Sequence, residues 1–153
     1  MQENLKQFIE RNIELIENSN YEKLYEKARH QIPFQIGNLT YNLVLAGIDV
    51  LKHTDIIYTD MFSNSMIDKI DIPENIKYIR ATAFQDCFNL TEVTLPKSLK
   101  YLDEFAFQGC YELNTVNYRG TVEEWYESNF NTQSIFIDAD TASINCSDGV
   151  VRI

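Results

Sequence analysis

The chain has 153 residues, a hydrophobic fraction of 44% and a formal net charge of −10. This length and apolar content suffice for one domain with a buried core, so the composition excludes global disorder. The 23 acidic against 13 basic side chains disfavour direct binding to nucleic acid, because that binding needs lysine and arginine to displace counterions. A basic partner, or a protein groove that otherwise holds nucleic acid, remains compatible with the charge.

The ends of the chain and the cysteines predict a cellular compartment. Residues 1–4 contain no basic region followed by an apolar run, and no apolar stretch is long enough to span a bilayer. We therefore expect a cytoplasmic protein without a signal peptide or a membrane contact. In such a reducing compartment, Cys87, Cys110 and Cys146 are expected to be free thiols.

Residues 1–52 are predicted to be a helical N-terminal cap. Apolar residues over 5–16 follow helical spacing, and Ser19 with Glu22 predicts a capping box at the start of a second helix. A third helix is predicted to begin near Asn38. We expect these helices to cover the open end of the repeats that follow, because a terminal repeat cannot bury its own apolar face.

Residues 53–120 contain a repeat. The segments 74–96 and 97–119 superimpose with an offset of 23 residues, and such a period with apolar positions in phase is typical of a leucine-rich solenoid. The sequence therefore predicts an α+β repeat fold, a short leucine-rich-repeat solenoid of about three copies. Three pairs illustrate the offset: Ala83-Phe84 on Ala106-Phe107, Cys87 on Cys110, and Val93 on Val116.

Each copy is expected to contribute two short strands. One covers residues 93–95, the other residues 76–79, and equivalent strands of neighbouring copies should stack about 4.8 Å apart in parallel. In the less regular first copy, over 53–73, Ile56 is predicted to align with Ile79 and Met61 with Phe84.

Residues 121–153 are predicted to be a C-terminal cap of helix and strands. Thr121 with Glu124 forms the pattern of a capping box, for a helix through Trp125 to about Ser128. Residues 135–137 and 144–146 resemble closing strands, followed by a tight turn at 148–149. Trp125 is expected to fill the end of the core.

The two runs IPENIKYIRATAFQDCFNLTEVTLP and LPKSLKYLDEFAFQGCYELNTVNY resemble the bacterial BspA-type leucine-rich repeat. The segments YRGTVEEW and INCSDGVVRI resemble the terminal module that closes such arrays, and the N-terminal helices are similar to leaders of short repeat proteins in bacterial and phage genomes. The family is best known for surface adhesins. This sequence departs from that pattern, because it has few repeats and shows no export signal or anchor. The resemblance implies a non-catalytic binding module.

The chemistry-bearing residues favour structural roles. Cys87 and Cys110 are expected to face the core, a disulfide between them being the alternative. His30 and His53 are remote from every cysteine, and no spacing predicts a metal site or a cofactor. We expect solvated carboxylates, rather than calcium ligands, at residues 138–140 and 148. An enzyme seated around His30 is the least favoured hypothesis.

Two surfaces are candidate partner-binding sites. In the first, the offset places Lys77 beside Lys100 and Tyr78 beside Tyr101, with Arg80 beside Asp103; tyrosine and arginine are common interface anchors. The alternative is that the tyrosines only stabilise neighbouring copies. The second candidate surface lies on the C-terminal helix and comprises Glu123, Glu124 and Glu127.

The leading functional hypothesis is a non-catalytic protein–protein interaction module that presents its repeat surface to a macromolecular partner. The alternative is a small acidic inhibitor, encoded by a phage for counter-defence, that blocks a nucleic-acid-handling host enzyme. The compact size and the net charge of −10 motivate this alternative, which predicts inhibition that weakens steeply with salt.

Overall fold

The computed structural model describes residues 4–136 and 143–152. Helices come first, pairs of short strands follow, and two further helices and a hairpin end the described chain. The helices are α1 (Leu5–Arg11), α2 (Ile13–Glu17), α3 (Tyr21–Gln31), α4 (Ile36–Leu45), α5 (Val122–Ser128) and α6 (Thr132–Ile135), with a 3₁₀ turn at Val50–His53. The strands are β1 (Ile56–Ile57), β2 (Lys69–Asp71), β3 (Tyr78–Ile79), β4 (Glu92–Leu95), β5 (Tyr101–Leu102), β6 (Thr115–Tyr118), β7 (Ser143–Asn145) and β8 (Val150–Arg152).

The strands form two sheets, and each copy of the repeat gives one strand to each sheet. Strands β1, β3 and β5 make a three-stranded parallel sheet. Strands β2, β4, β6 and β7 are parallel in the second sheet, and β8 is antiparallel to β7. Tyr78 lies opposite Tyr101 and Val93 opposite Val116. The 23-residue offset between the second and third copies is therefore confirmed.

Equivalent apolar side chains of successive copies stack in the core between the two sheets. The rings of Phe62, Phe84 and Phe107 are stacked nearly parallel to one another, with successive centroids 5.0 Å apart. The thiols of Cys87 and Cys110 are buried and free, and they donate to the carbonyl oxygens of Phe62 and Phe84, each at 3.0 Å. The predicted core position of both cysteines is confirmed.

The first copy is one residue shorter than the second, which corrects two predicted alignments. The offset returns to 23 residues at β2, where Lys69 lies opposite Glu92. The missing residue therefore lies between Phe62 and Lys69, in a turn that changes length without shifting either sheet. Two pairs have an offset of 22 residues where the sequence predicted 23: Ile57, not Ile56, lies opposite Ile79, and Phe62, not Met61, stacks on Phe84.

The N-terminal segment is helical, but two predicted details are wrong. The single first helix is two helices, α1 and α2, separated at Asn12, whose side-chain amide donates to the Phe8 carbonyl at 2.8 Å. The cap of α3 is Asn20, whose side chain accepts from the Lys23 N–H at 3.4 Å. Ser19, the predicted capping residue, has a φ of +54°, which no N-cap geometry uses.

Helix α4 packs directly on the first copy. A Cβ atom on Gly37 would lie 1.7 Å from the carbonyl oxygen of Ser63, so only glycine permits this approach. The buried Thr40 hydroxyl is bonded to Tyr25 Oη at 2.6 Å and donates to the Met61 carbonyl. Burial raises the pKa of Tyr25. Helices α3 and α4 are thus joined to the repeats by a buried polar chain.

The C-terminal segment begins as the sequence predicted. Thr121 and Glu124 form the capping box of α5, with the Thr121 N–H donating to Glu124 Oε2 at 2.7 Å. Trp125 is buried and its ring packs edge-on against Tyr118 and Phe130, with centroids 5.2 and 5.4 Å away. The predicted burial of Trp125 is therefore confirmed.

The strand predicted at 135–137 is wrong at its start. Ile135 is the last residue of the short helix α6. This helix begins after Asn131, whose side chain caps it by accepting from the Ser134 N–H at 3.3 Å. Ile137 lies outside the described residues, as do Asp138 and Asp140. The predicted strand near 144–146 corresponds to β7, and the turn at 148–149 joins it to β8. Within 4–136 and 143–152, no helix is long and apolar enough to cross a membrane.

Candidate functional site

Four of the predicted binding residues are brought together on the outer side of the three-stranded sheet. Tyr78 and Tyr101 lie opposite each other on β3 and β5. The Lys100 N–H donates to the Lys77 carbonyl at 2.8 Å, so the two lysines are adjacent where they immediately precede β3 and β5. These four residues and Arg80 are called the basic–aromatic face below.

Arg80 is the centre of this face. Its guanidinium carbon lies 5.7 Å from the ring centroid of Tyr78 and 6.0 Å from that of Tyr101. Both distances permit a cation–π attraction. The sequence placed Arg80 only beside Asp103. Its position two residues after Tyr78, hence on the same side of an extended chain, was the available signal.

Tyr101 is held in a defined orientation by a carboxylate. Its hydroxyl donates to Asp103 Oδ2 at 3.0 Å, and this hydrogen bond raises the pKa of Tyr101. The other carboxylate oxygen of Asp103 accepts from the Phe105 N–H at 2.8 Å. Asp103 is therefore engaged on both oxygens, while 43% of Tyr101 stays exposed.

The cations of the repeats fall into two groups. In the part of the chain that the structure describes, no carboxylate lies within 4.0 Å of the charged nitrogens of Lys77, Arg80 or Lys100. The cations outside this face all have carboxylate partners: Lys69–Glu92 at 3.7 Å, Lys97–Glu124 at 3.2 Å, and Arg119–Asp71 and Arg119–Glu74 at 2.6 and 3.5 Å.

The outer face of the five-stranded sheet satisfies its own polar groups. Lys69, Glu92 and Thr115 form one column across the strands. In the next column, the Asn117 amide donates to Glu92 Oε1 at 2.8 Å, and the Asn145 amide donates to Asn117 Oδ1 at 3.1 Å. This face resembles a closed hydrogen-bonded surface more than a binding site.

The three predicted acidic residues of α5 are not equivalent. The backbone N–H of Thr121 and the ammonium of Lys97 lower the pKa of Glu124, whose carboxylate is held by both. Glu123 and Glu127 are exposed. Among the described residues, no hydrogen bond or ion pair joins these glutamates to the basic–aromatic face.

Two apolar features were not predicted. Phe88 and Tyr111, which are 54% and 65% exposed, stack with centroids 6.1 Å apart; their 23-residue separation was a usable signal. A groove of about 360 Å³ lies beside the edge strand β2 and includes Val44, Ile48 and Ile70 in its lining. The groove depends on how far the end of α4 lies from β2, which no local pattern encodes.

A cleft of about 470 Å³ lies beside His30, between α3 and the first strand of the three-stranded sheet. Its lining includes two arginines and two glutamates besides the histidine, so the formal charges of these four residues cancel. No group of three or more His, Cys, Asp or Glu residues that could hold a metal ion occurs within 4–136 and 143–152. The charged lining residues are Glu22, Glu26, Arg29, His30 and Arg80.

Helices together with strands that recur at intervals of 22 to 23 residues define an α+β repeat protein. Residues 34–137 match the family described as BspA type Leucine rich repeat region (6 copies), and the chain belongs to this family. The match begins within the stretch that the sequence assigned to the N-terminal helices. No curated protein and no solved structure matches the chain. Leucine-rich-repeat domains commonly mediate protein interactions and are generally non-catalytic.

Proposed function

We propose that the protein is a non-catalytic protein–protein interaction module and that the basic–aromatic face is its partner-binding surface. The observation that carries the proposal is the position of Arg80 beside two partly exposed tyrosine rings. Neither Arg80 nor its neighbours Lys77 and Lys100 has a carboxylate partner within the described chain. Tyrosine and arginine are enriched among residues that dominate binding energy.

The proposed scaffold is a short leucine-rich-repeat solenoid closed at both ends. Residues 1–52 would cover the first copy, which is supported by the close contact of Gly37 with Ser63. Residues 121–153 would cover the last copy, which is supported by the burial of Trp125. With the ends covered, the faces of the two sheets are the surfaces left for a partner.

The face is also well ordered before any partner arrives. Strand pairing fixes the backbone positions of Tyr78 and Tyr101, and the Tyr101 hydroxyl is hydrogen-bonded to Asp103. Immobilising a side chain on binding costs about 0.5–1.5 kcal/mol. Rings that are ordered in advance avoid much of this cost, so the face can bind with a modest contact area.

The test is a pull-down from nuclease-treated bacterial lysate with the double variant Tyr78→Ala/Tyr101→Ala. A stoichiometric partner of the wild-type protein should be lost. The matched control is Phe88→Ala/Tyr111→Ala, which removes another exposed ring pair with the same 23-residue separation. A partner retained by the first variant and lost with the second would place the binding surface elsewhere.

The acidic inhibitor is the second candidate, and the exposed Glu123 and Glu127 favour it. In this case the acidic surface would occupy the basic channel of a nucleic-acid-handling enzyme. Inhibition should weaken steeply as salt is raised. The variant Glu123→Gln/Glu127→Gln should reduce it, and inhibition that is insensitive to both changes would exclude this role.

A further inference from the structure

We propose that the ligand of the basic–aromatic face is an extended acidic peptide segment whose carboxylates pair with Lys77, Arg80 and Lys100. This inference rests on the proposed function and names the chemical class of the partner. The juxtaposition that carries it is Arg80 against two tyrosine rings, with the exposed Lys77 and Lys100 adjacent to these tyrosines in the chain. Within the described residues these three cations have no carboxylate partner, in a chain of net charge −10.

Charge complementarity selects the occupant. Elsewhere in the repeats, Lys69, Lys97 and Arg119 are each within 4.0 Å of a carboxylate. An acidic segment is therefore attracted most where, among the described residues, cations have no carboxylate within 4.0 Å. Such complementarity steers encounter and fixes the orientation of a partner more than it raises affinity.

The geometry of Arg80 suits a carboxylate. Its charged carbon is 5.7 and 6.0 Å from the two ring centroids, and an arginine that stacks on an aromatic ring does so with the flat face of its guanidinium. The N–H groups lie along its edge, where two of them can bind one carboxylate in a bidentate manner. The rings thus orient the arginine without using its donors.

The spacing of the strands suits an extended peptide. Lys77 and Lys100 immediately precede the adjacent strands β3 and β5, and adjacent strands lie about 4.8 Å apart. Side chains on one side of an extended peptide recur about every 6.8 Å, and the flexible lysine stems can absorb the difference. The exposed part of Tyr101 offers apolar area to the stems of the peptide side chains.

The experiment uses fluorescein-labelled peptides of about ten residues, long enough to cross all three strands. One alternates Glu with Thr, a second alternates Gln with Thr, and a third alternates Lys with Thr. Fluorescence anisotropy at low and high salt measures binding to the full chain, and ¹H–¹⁵N chemical shifts map it. The Glu–Thr peptide should bind, lose affinity in high salt, and shift the amides of Lys77, Arg80 and Lys100.

Charge-matched variants isolate the face. Lys77→Gln/Arg80→Gln/Lys100→Gln should weaken binding of the Glu–Thr peptide by about tenfold or more. The control has the same net charge and neutralises three exposed lysines of the helical segment, Lys6→Gln/Lys23→Gln/Lys52→Gln. The control should keep most of the affinity.

Several outcomes would overturn the inference. These are equal binding of the Gln–Thr peptide, shifts that map elsewhere, equal loss in both triple variants, or tighter binding of single-stranded DNA at the same face. Failure of this inference can be distinguished from failure of the proposed function. A lysate partner lost with Tyr78→Ala/Tyr101→Ala but retained by the face triple variant would leave the module standing and reject the acidic ligand.

Discussion

The two outer faces of the repeats have the same period, but they differ in whether their polar and charged side chains pair with one another. On the five-stranded sheet, Lys69 pairs with Glu92, and Asn117 connects Glu92 to Asn145. On the three-stranded sheet, Lys77 and Arg80 have no carboxylate partner within the described residues. The backbone repeat therefore does not decide which face can bind; the side chains on it do.

Strand length explains much of this difference. β4 and β6 have four residues, so each presents two outward side chains per copy, whereas β3 and β5 have two residues and present one. Two outward positions per strand give a polar residue neighbours both along and across the sheet. A face with one position per strand has fewer internal partners and leaves more of its charge to solvent or to a ligand.

The largest expected effect tests the core that both faces share. Phe84→Ala removes the middle ring of the stack with Phe62 and Phe107 and should lower the free energy of unfolding by about 3–5 kcal/mol. Phe88→Ala makes the same change at an exposed ring and should cost about 1 kcal/mol or less. Urea denaturation of both variants measures the difference, and similar costs would contradict the assigned core.

The next effect concerns the hydrogen-bonded column of the five-stranded sheet. Asn117→Ala removes the link between Glu92 and Asn145 and should cost about 1 kcal/mol. Asn89→Ala is the control, because within the described residues the side-chain amide of this exposed residue makes one weak hydrogen bond, to the Met66 sulfur at 3.9 Å. If urea denaturation finds the two variants equally stable, the column contributes nothing measurable.

A matched pair of arginines contrasts the faces directly. Arg119→Gln breaks contacts with Asp71 and Glu74 and should lower the free energy of unfolding by up to about 1 kcal/mol, since the pairs are partly exposed. Arg80→Gln should leave the unfolding free energy within about 0.5 kcal/mol while weakening the peptide binding described above. The reverse ranking of unfolding free energies would mean that Arg80 serves stability rather than recognition.

The smallest expected effect is a pH dependence of the free energy of unfolding, which arises at Glu124 of α5, the ion-pair partner of Lys97. The folded protein lowers the pKa of Glu124, so its contribution is present above the unfolded value of about 4.3 and is lost as the pH falls through the folded value. The stability advantage of the wild type over Glu124→Gln should therefore shrink in acid. Glu127→Gln, on the same helix, is the control in urea titrations between neutral and acidic pH. An acid dependence of equal size in both variants would exclude the assigned contacts of Glu124.

The sequence predicted the elements that depend on near neighbours or on the regular period. The Thr121 capping box, the opposition of Tyr78 and Tyr101, and the opposition of Val93 and Val116 are confirmed. The first copy was misaligned because the repeat was assumed to keep one length. A period read from the two regular copies, the second and the third, does not reveal a residue missing from a turn of the first.

The remaining errors and omissions come from competing local bonds and from packing over long distances. Asn12 interrupts the first helical stripe and Asn131 caps a helix where an apolar run suggested a strand. Within the described residues Arg80 has no carboxylate partner. Whether an arginine finds such a partner depends on the rotamers of its neighbours, which spacing alone does not encode. Glu124 is instructive, because the capping box that was read correctly already implied that this carboxylate is occupied.

The stack of parallel rings formed by Phe62, Phe84 and Phe107 has a consequence for how the protein can change in size. Because each ring is contributed by a complete copy, the molecule can be lengthened only in whole steps. Inserting one further 23-residue copy between the second and third would add a strand to both sheets, a fourth ring to the stack and a third tyrosine between Tyr78 and Tyr101. The number of copies would then set the reach of the surface.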